Sequence, residues 1–526
     1  MLKDNSEVTS LDERRKIKII QDVTNPEEIP DAPENQEYWF PSGDYWPNGK
    51  VVYEDMPYWM EDIEKVHTYN QGGNHPIHLG DVLDTRYEVV HKLGSGGGGL
   101  VWLCYDSVTK SWKAVKIMAA KHSEYTNEVK IYEHLKKCTS LRKLEASGIL
   151  VPLRHFWIEG TNGRHLCLVL PVLGGTLEHW AYTQTDRDDD RINRRKQICR
   201  KIIKMVKFLH SHGICHGDLK PQNIMVKIHN LDTLDREQMM QLMGKPETIE
   251  VKKRSGKPPG RHAPKYLVHA PYMWWERIMT GEIALVDFGS AFFIDDPPEE
   301  VKAFTKVYAA PEVFFGKCGP PGPPADIWSL GCTLLSVTSD NSLFTSLEGP
   351  LYDTPQDLEV FLGPLPDPLR SGLEEQLGWD SADDLDVEEK VHEDNEDLQD
   401  VAHINNDADL SPHADALEPF SWTQTELVRE REDRIGKSGY SSVLEAVIGG
   451  WERYRPSPGK EKGDDDKIRY YYPREDVIKF AAFLSTIFQY QPTDRPSIDQ
   501  VSNHPWLKKS KLATMGETRY YYRYFE

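Results

Sequence analysis

ICHGDLKPQN, residues 214–223, sets a His, an Asp, a Lys and an Asn at spacings that suit the transfer of a phosphoryl group. In such a loop Asp218 accepts or orients the proton of an attacking hydroxyl. Lys220 neutralises charge on the group in flight, and Asn223 holds a Mg²⁺ ion. The reaction spreads negative charge over phosphoryl oxygens, so positioning plus cations do most of the work. Downstream, the stretch VDFGSA supplies Asp287 as the main metal ligand.

Working outward to the N-terminal side, LGSGGGGLVW places Gly94, Gly96, Gly99 and Val101 in the pattern G-x-G-x-x-G-x-V. A turn whose backbone lies over a triphosphate needs glycines, because a Cβ blocks close approach. The loop is bracketed by the strand-like runs RYEVVHKLG and GLVWLCYD and followed by KAVK. Lys116 is the candidate for the α- and β-phosphates, and Glu128 on the next helix is its natural orienting partner. A glycine run by itself is more often a linker, and a Lys or Glu by itself a surface charge. The order of loop, Lys, Glu, D-L-K-P-Q-N and D-F-G excludes both for this chain.

The chain has 526 residues and a formal net charge of −21. That length suits two or three domains, or one large domain with insertions. The acidic balance argues against non-specific nucleic-acid binding. The seven cysteines, at 104, 138, 167, 199, 215, 318 and 332, form no C-x-x-C pair and read as free thiols. No secretory h-region or apolar run of about 18 residues stands out, so a soluble cytoplasmic or nuclear monomer is expected.

Period-two patterning and one helix, NEVKIYEHLKKC, predict a β-rich lobe over 87–171. In that helix Val129, Tyr132 and Leu135 share a face. Apolar helices follow, among them one that ends at Gly213, so the expected fold class is α+β with a helical lobe over 172–507. Residues 1–86 form an N-terminal extension, partly disordered, whose aromatic stretch at 37–70 is expected to pack on a domain. Insertions are expected at about 227–281 and 345–420, and 508–526 is a C-terminal tail. Residues 380–409 hold 13 acidic residues and one Lys, which reads as a solvated segment.

Gly217 divides two readings of this machinery. His-Gly-Asp opens the catalytic loop of many small-molecule phosphotransferases, whereas protein kinases usually carry Arg at that position. The chain nevertheless has TKVYAAPE (305–312), ADIWSLGC and DRPS, which build a peptide platform that a small-molecule enzyme does not need. Thr305 and the Ala310-Pro311-Glu312 triplet end the activation segment. Glu312 is expected to pair with Arg495, and Asp326 to brace the catalytic loop. A scaffold that has lost catalysis is the other alternative, but every catalytic position is filled. Without an Arg before Asp218 to grip an activating phosphate, activity is expected without prior phosphorylation.

From about residue 69 to 507 the chain resembles eukaryotic protein kinases, and within them the SR-protein kinase family. YNQGGNHPIHLGDVLDTRYEVVHKLGSG, VWLCYD, NGRHLCLVLPVLG and NHPWL carry that resemblance, together with the long spacer between Asn223 and Asp287. It implies a bilobal fold, ATP with Mg²⁺, and phosphorylation of Ser in basic, Arg/Ser-rich splicing factors, with no direct nucleic-acid or membrane partner. It also implies the nucleotide contacts. Leu93, Gly94, Ser95, Gly96, Gly97, Gly98, Gly99, Leu100 and Val101 form the loop. Ala114, Lys116, Glu128 and Met225 line the cleft. Leu170 is the gatekeeper, and Pro171 and Leu173 meet the adenine. The chain departs from that family at Lys306 and Ala309, where Arg residues are usual, at its Ala-Pro-Glu triplet, and at the loop tip Gly97–Gly98.

Overall fold

A computed structural model describes residue 53, residues 63–96, 98–183, 190–272, 274–299 and 305–339, residue 344, and residues 355–377, 429–432, 442–449, 452–454, 467–469 and 474–508. Gly97, most of 37–62 and the acidic run at 380–409 lie outside them. The chain divides into two compact units, Met1–Asp296 and Pro297–Glu526.

In the first unit, β1 (Val82–Leu83), β2 (Tyr87–Gly96), β3 (Gly99–Asp106), β4 (Ser111–Met118), β5 (Arg154–Gly160) and β6 (Gly163–Leu170) form an antiparallel sheet in the order β1-β2-β3-β4-β6-β5. Strand alternation sorts its side chains. Val89, Leu100, Trp102, Cys104, Val115 and Ile117 enter one core. Val90, Leu103 and Trp112 enter another.

Three helices accompany the sheet: α1 (Ala120–Ser123), α2 (Glu128–Cys138) and α3 (Leu141–Ser147). In α2 the buried residues are Glu128, Ile131, Tyr132 and Leu135, so the stripe is rotated from the expected one and Val129 is half-buried. Helices α4 (Leu177–Thr183) and α5 (Asp190–Ser211) follow. Gly213, at φ +73, turns the chain after α5. Short strands β7 (Ile214–Cys215) and β8 (Ile224–Ile228) then flank the catalytic loop.

The spacer at 227–281 is more than an insertion in a helical lobe. Its helix α6 (Arg236–Met243) starts in a capping box made by Asp235 and Gln238. It buries Met239 and Met243 against Val90, Leu103 and Trp112 of the sheet. Its hairpin, β9 (Thr248–Glu250) with β10 (Tyr266–Val268), places Val251, Ala263, Leu267 and Val268 in the other core. Residues 63–77 join the same core through Ile63, Val66, Tyr69 and Ile77, as the aromatic-rich stretch suggested for its C-terminal end. The Tyr266 hydroxyl accepts from Leu79 N at 3.1 Å, 187 positions away. The unit closes with β11 (Met279–Leu285), paired with β8, and β12 (Phe292–Phe293), paired with β7.

The second unit is mainly helical. Its helices include α7 (Pro311–Phe315), α8 (Pro323–Ser339) and the helix Arg474–Ile487. Trp328 stacks on Phe344, and Phe488 meets both rings edge-on. Asp326 is buried within α8. All seven cysteines are free thiols, five of them buried. Among the described residues no helix is long and apolar enough to cross a membrane.

Candidate active site

Two polar clusters of the first unit collect the residues singled out above. In the first, Lys116 reaches from β4 to Asp287 at 2.7 Å and to Glu128 of α2 at 3.5 Å. Burial alone lowers the Lys116 pKa, but Glu128 and Asp287 outweigh it and hold the ammonium charged above the ordinary lysine range. Lys116 in turn holds the Asp287 carboxyl below the usual carboxylate range. Asp287 sits at φ +62, a left-handed conformation uncommon for a residue with a Cβ. Such strain persists where surrounding contacts over-determine it.

Glu128 is gripped a second time. The Tyr132 hydroxyl donates to its other oxygen at 2.7 Å. Tyr132 packs edge-on against Phe288, which in turn meets the His216 ring at 5.2 Å. His216 contacts the Val286 carbonyl at 3.1 Å. A column of rings thus ties α2, the D-F-G stretch and the catalytic loop together. D-F-G and the loop His were legible in the sequence; the share of Tyr132 was not, because its position in α2 reads as ordinary core.

The second cluster is the catalytic loop. Lys220 Nζ lies 2.6 Å from Asp218 Oδ2. Asn223 Nδ2 donates to the same oxygen at 3.0 Å and to the Asp218 carbonyl at 2.7 Å. The Asp218 backbone N–H donates to His216 Nδ1 at 3.3 Å. The carboxylate is therefore held in one orientation by a cation and an amide.

Gly217 has a backbone reason to be glycine. It sits at φ +77, and a Cβ there would lie 2.4 Å from the Ser290 carbonyl oxygen. An Arg cannot occupy this position without moving the chain.

The glycine loop meets the same test. A Cβ on Gly99 would lie 2.2 Å from the Ile117 carbonyl oxygen, while at Gly98 the nearest group is Lys116 Cε at 4.0 Å. Backbone therefore passes over Lys116 with no side chain between them. Gly94, Ser95 and Gly96 end β2; Leu100 and Val101 open β3, and Val101 is in register with Lys116. Ala114 pairs with Leu170 across β4 and β6. Pro171 and Leu173 follow β6 directly. Met225 lies on β8, bridged to Thr176. Trp275 of the spacer lies against Gly174 and Gly175, where an added Cβ would come within 3.1 and 2.4 Å of it.

In the second unit Arg495 clamps Glu312 with two hydrogen bonds of 2.7 Å. The guanidinium also donates to the carbonyls of Gln489, Pro324 and Tyr490 and stacks over Trp328. Pro311 opens α7, where its missing N–H costs nothing. Lys306 is in the preceding short 3₁₀ turn and Ala309 is buried just after it.

Residues 87–241 and 276–360 match the protein kinase domain family. The serine/threonine-protein kinase spk-1 of Caenorhabditis elegans is 32% identical over 185 residues, which is 34% of this chain and 17% of that protein. The human SRSF protein kinase 3 is 35% identical over 172 residues, 32% of this chain and 30% of that protein. The mouse dual specificity protein kinase CLK1 is 29% identical over 315 residues, 58% of this chain and 54% of that protein. The match thus spans less than a third of the first two relatives' length. With the Lys–Glu–Asp cluster and the oriented loop Asp inside the matched region, this chain carries a protein kinase domain, similar to those of SR-protein and dual-specificity kinases.

Proposed function

We propose that the chain is a serine/threonine kinase that transfers the γ-phosphate of ATP, with Mg²⁺, to Ser or Thr of basic, Arg/Ser-rich proteins. The observation that carries this reading is the paired arrangement of cations and carboxylates: Lys116 on Asp287, and Lys220 with Asn223 on Asp218. A pocket that merely binds nucleotide does not need a carboxylate held so firmly in the second cluster.

The residues fit the cofactors. Gly98 brings bare backbone near Lys116, with no side chain of its own to crowd a phosphate there. Asn223 uses its amide N–H₂ on Asp218, which leaves its carbonyl oxygen as the donor to a cation, and Asp287 adds a carboxylate. Hard oxygen donors of this kind suit Mg²⁺. Held by Asn223 and Asp287, Mg²⁺ would supply charge neutralisation for the phosphates. Lys116 orients Asp287 and phosphate oxygens, Asp218 directs the incoming hydroxyl and takes its proton, and Lys220 offsets negative charge beside it.

Basic serine peptides are the proposed acceptors because the chain carries a net −21 charge and its relatives include an SRSF protein kinase. The test is phosphate transfer from radiolabelled ATP to a degenerate Ser/Thr peptide library by phosphatase-treated protein. Incorporation into Arg- and Lys-rich peptides that falls steeply with salt is expected, and Asp218→Asn abolishes it. Equal transfer by Asp218→Asn sinks the catalytic assignment. A preference for acidic peptides sinks the substrate class, and dependence on a phosphorylated starting protein sinks the reading of Gly217.

A further inference from the structure

Lys92 is fully buried on β2, immediately before Leu93 and the glycine loop. It stands in register with Trp102 of β3, a member of the core shared by the sheet, the 63–77 segment and the spacer hairpin. A lysine in such a place is unfavourable unless an anion meets it. Burial pushes its ammonium down to about 7. The carboxylate of Glu64 meets Lys92 Nζ in direct contact. The other Glu64 oxygen accepts from the Tyr69 hydroxyl at 2.6 Å. Glu64 and Tyr69 are both buried, in the segment that precedes the sheet.

Apolar residues at these positions would serve stability as well or better. What a buried pair adds is a defined position, and β2 lacks one here. Its ladder with β3 shifts register between Val89 and His91 and again between Lys92 and Gly94. On its other side β1 reaches only Tyr87 and Glu88. Gly80 and Asp81 carry the backbone bonding on to Val89, but the stretch from Val90 to Gly96 has one strand neighbour and an interrupted grip on it. Beyond lies a loop whose glycines impose little conformation of their own. A strand end in that situation drifts unless something off the ladder pins it.

We propose that Glu64, Lys92 and Tyr69 are positioning residues that pin the end of β2, and with it Leu93 and the glycine loop, in place for the nucleotide. The segment ahead of the kinase domain therefore takes part in ATP binding without touching ATP. This role rests on the kinase reading above.

The test compares the full chain with Glu64→Gln, Tyr69→Phe and the charge-exchanged Glu64→Lys/Lys92→Glu protein, well below their melting temperatures. Glu64→Gln is expected to raise the KM for ATP, and the Kd for a non-hydrolysable ATP analogue, by roughly five- to tenfold. The kcat and the peptide KM should change far less. Tyr69→Phe should shift ATP binding in the same direction by a smaller factor, and it removes only a hydroxyl should Glu64→Gln fail to fold. Charge exchange should recover part of the loss. ATP affinity unchanged in folded Glu64→Gln or Tyr69→Phe overturns the positioning role, as does a lower kcat with both KM values raised alike and a lower melting temperature. A wild-type protein that binds the analogue but gives no transfer overturns the kinase activity and leaves the binding comparison decisive. One that binds no analogue overturns both.

Discussion

Two buried ion pairs in this molecule follow opposite designs. Arg495 and Glu312 meet through two equal contacts of 2.7 Å, and every further guanidinium contact is a backbone carbonyl or an aromatic ring. Lys116 instead divides itself between Asp287 at 2.7 Å and Glu128 at 3.5 Å, and the Asp287 side chain is 43% exposed. The first is closed and symmetric, and its planar fork matches its carboxylate. The second is lopsided and open, with a point charge that can reapportion its contacts when phosphates arrive. On the proposed function, burial of charge serves placement of a platform in one case and readiness for chemistry in the other.

The largest separation between the two should come from the open cluster. Lys116→Ala or Asp287→Asn is expected to lower phosphate transfer by on the order of 10²–10³ or more, measured by ATP turnover on purified protein. Melting of Asp287→Asn should hardly move, since Asn tolerates the left-handed backbone that Asp287 adopts and Lys116 keeps Glu128. A large loss of stability in Asp287→Asn, or transfer near the wild-type rate, would erase the distinction.

The closed pair should behave in the reverse sense. Glu312→Ala leaves a fully buried guanidinium without its carboxylate, at a cost of about 3–5 kcal/mol. Denaturant unfolding should show that loss in the second unit. A variant that unfolds at the wild-type midpoint would mean that the bridge contributes nothing to the fold.

A third buried group carries no charge at all, and pH sharpens the contrast. Burial, then the neighbouring His165, lower the His75 pKa to about 3 from 6.5. Among the described residues His75 Nδ1 and His165 Nε2 have no hydrogen-bond partner. Between those values the unfolded chain binds a proton that the folded chain refuses. The stability due to this group is therefore fully present above pH 6.5 and lost as pH falls towards 3. Its slope is at most about 1.4 kcal/mol per pH unit. His75→Asn should flatten the acid limb of the unfolding curve by up to that amount. An unchanged limb would show that other groups set it.

How much of this was legible in advance follows chemistry. That Lys116 would meet Glu128, and Asp218 would stand with Lys220 and Asn223, was readable because a strand, a turn and a loop hold such side chains at nearly constant offsets. The sheet and the long helices were readable from apolar periodicity. The burial stripe of α2 was read one step off because Ile131, rather than Val129, faces inward.

Other features had no local signal. The pattern around Gly217 says only that an Arg is missing; the left-handed backbone and the Ser290 carbonyl that exclude a Cβ belong to a contact 73 positions on. The spacer reads as a polar insertion, because its few apolar residues, Met239, Met243, Val251 and Leu267, take on meaning only when the sheet is there to cover. Lys92 reads as the polar half of a strand's alternation, and nothing near it announces Glu64, 28 positions earlier. Residue type and spacing specify the chemistry, because catalytic geometry tolerates few substitutes. Which charges are buried, and against what, depends on chain segments far apart in sequence meeting in one core, and only the folded structure decides that.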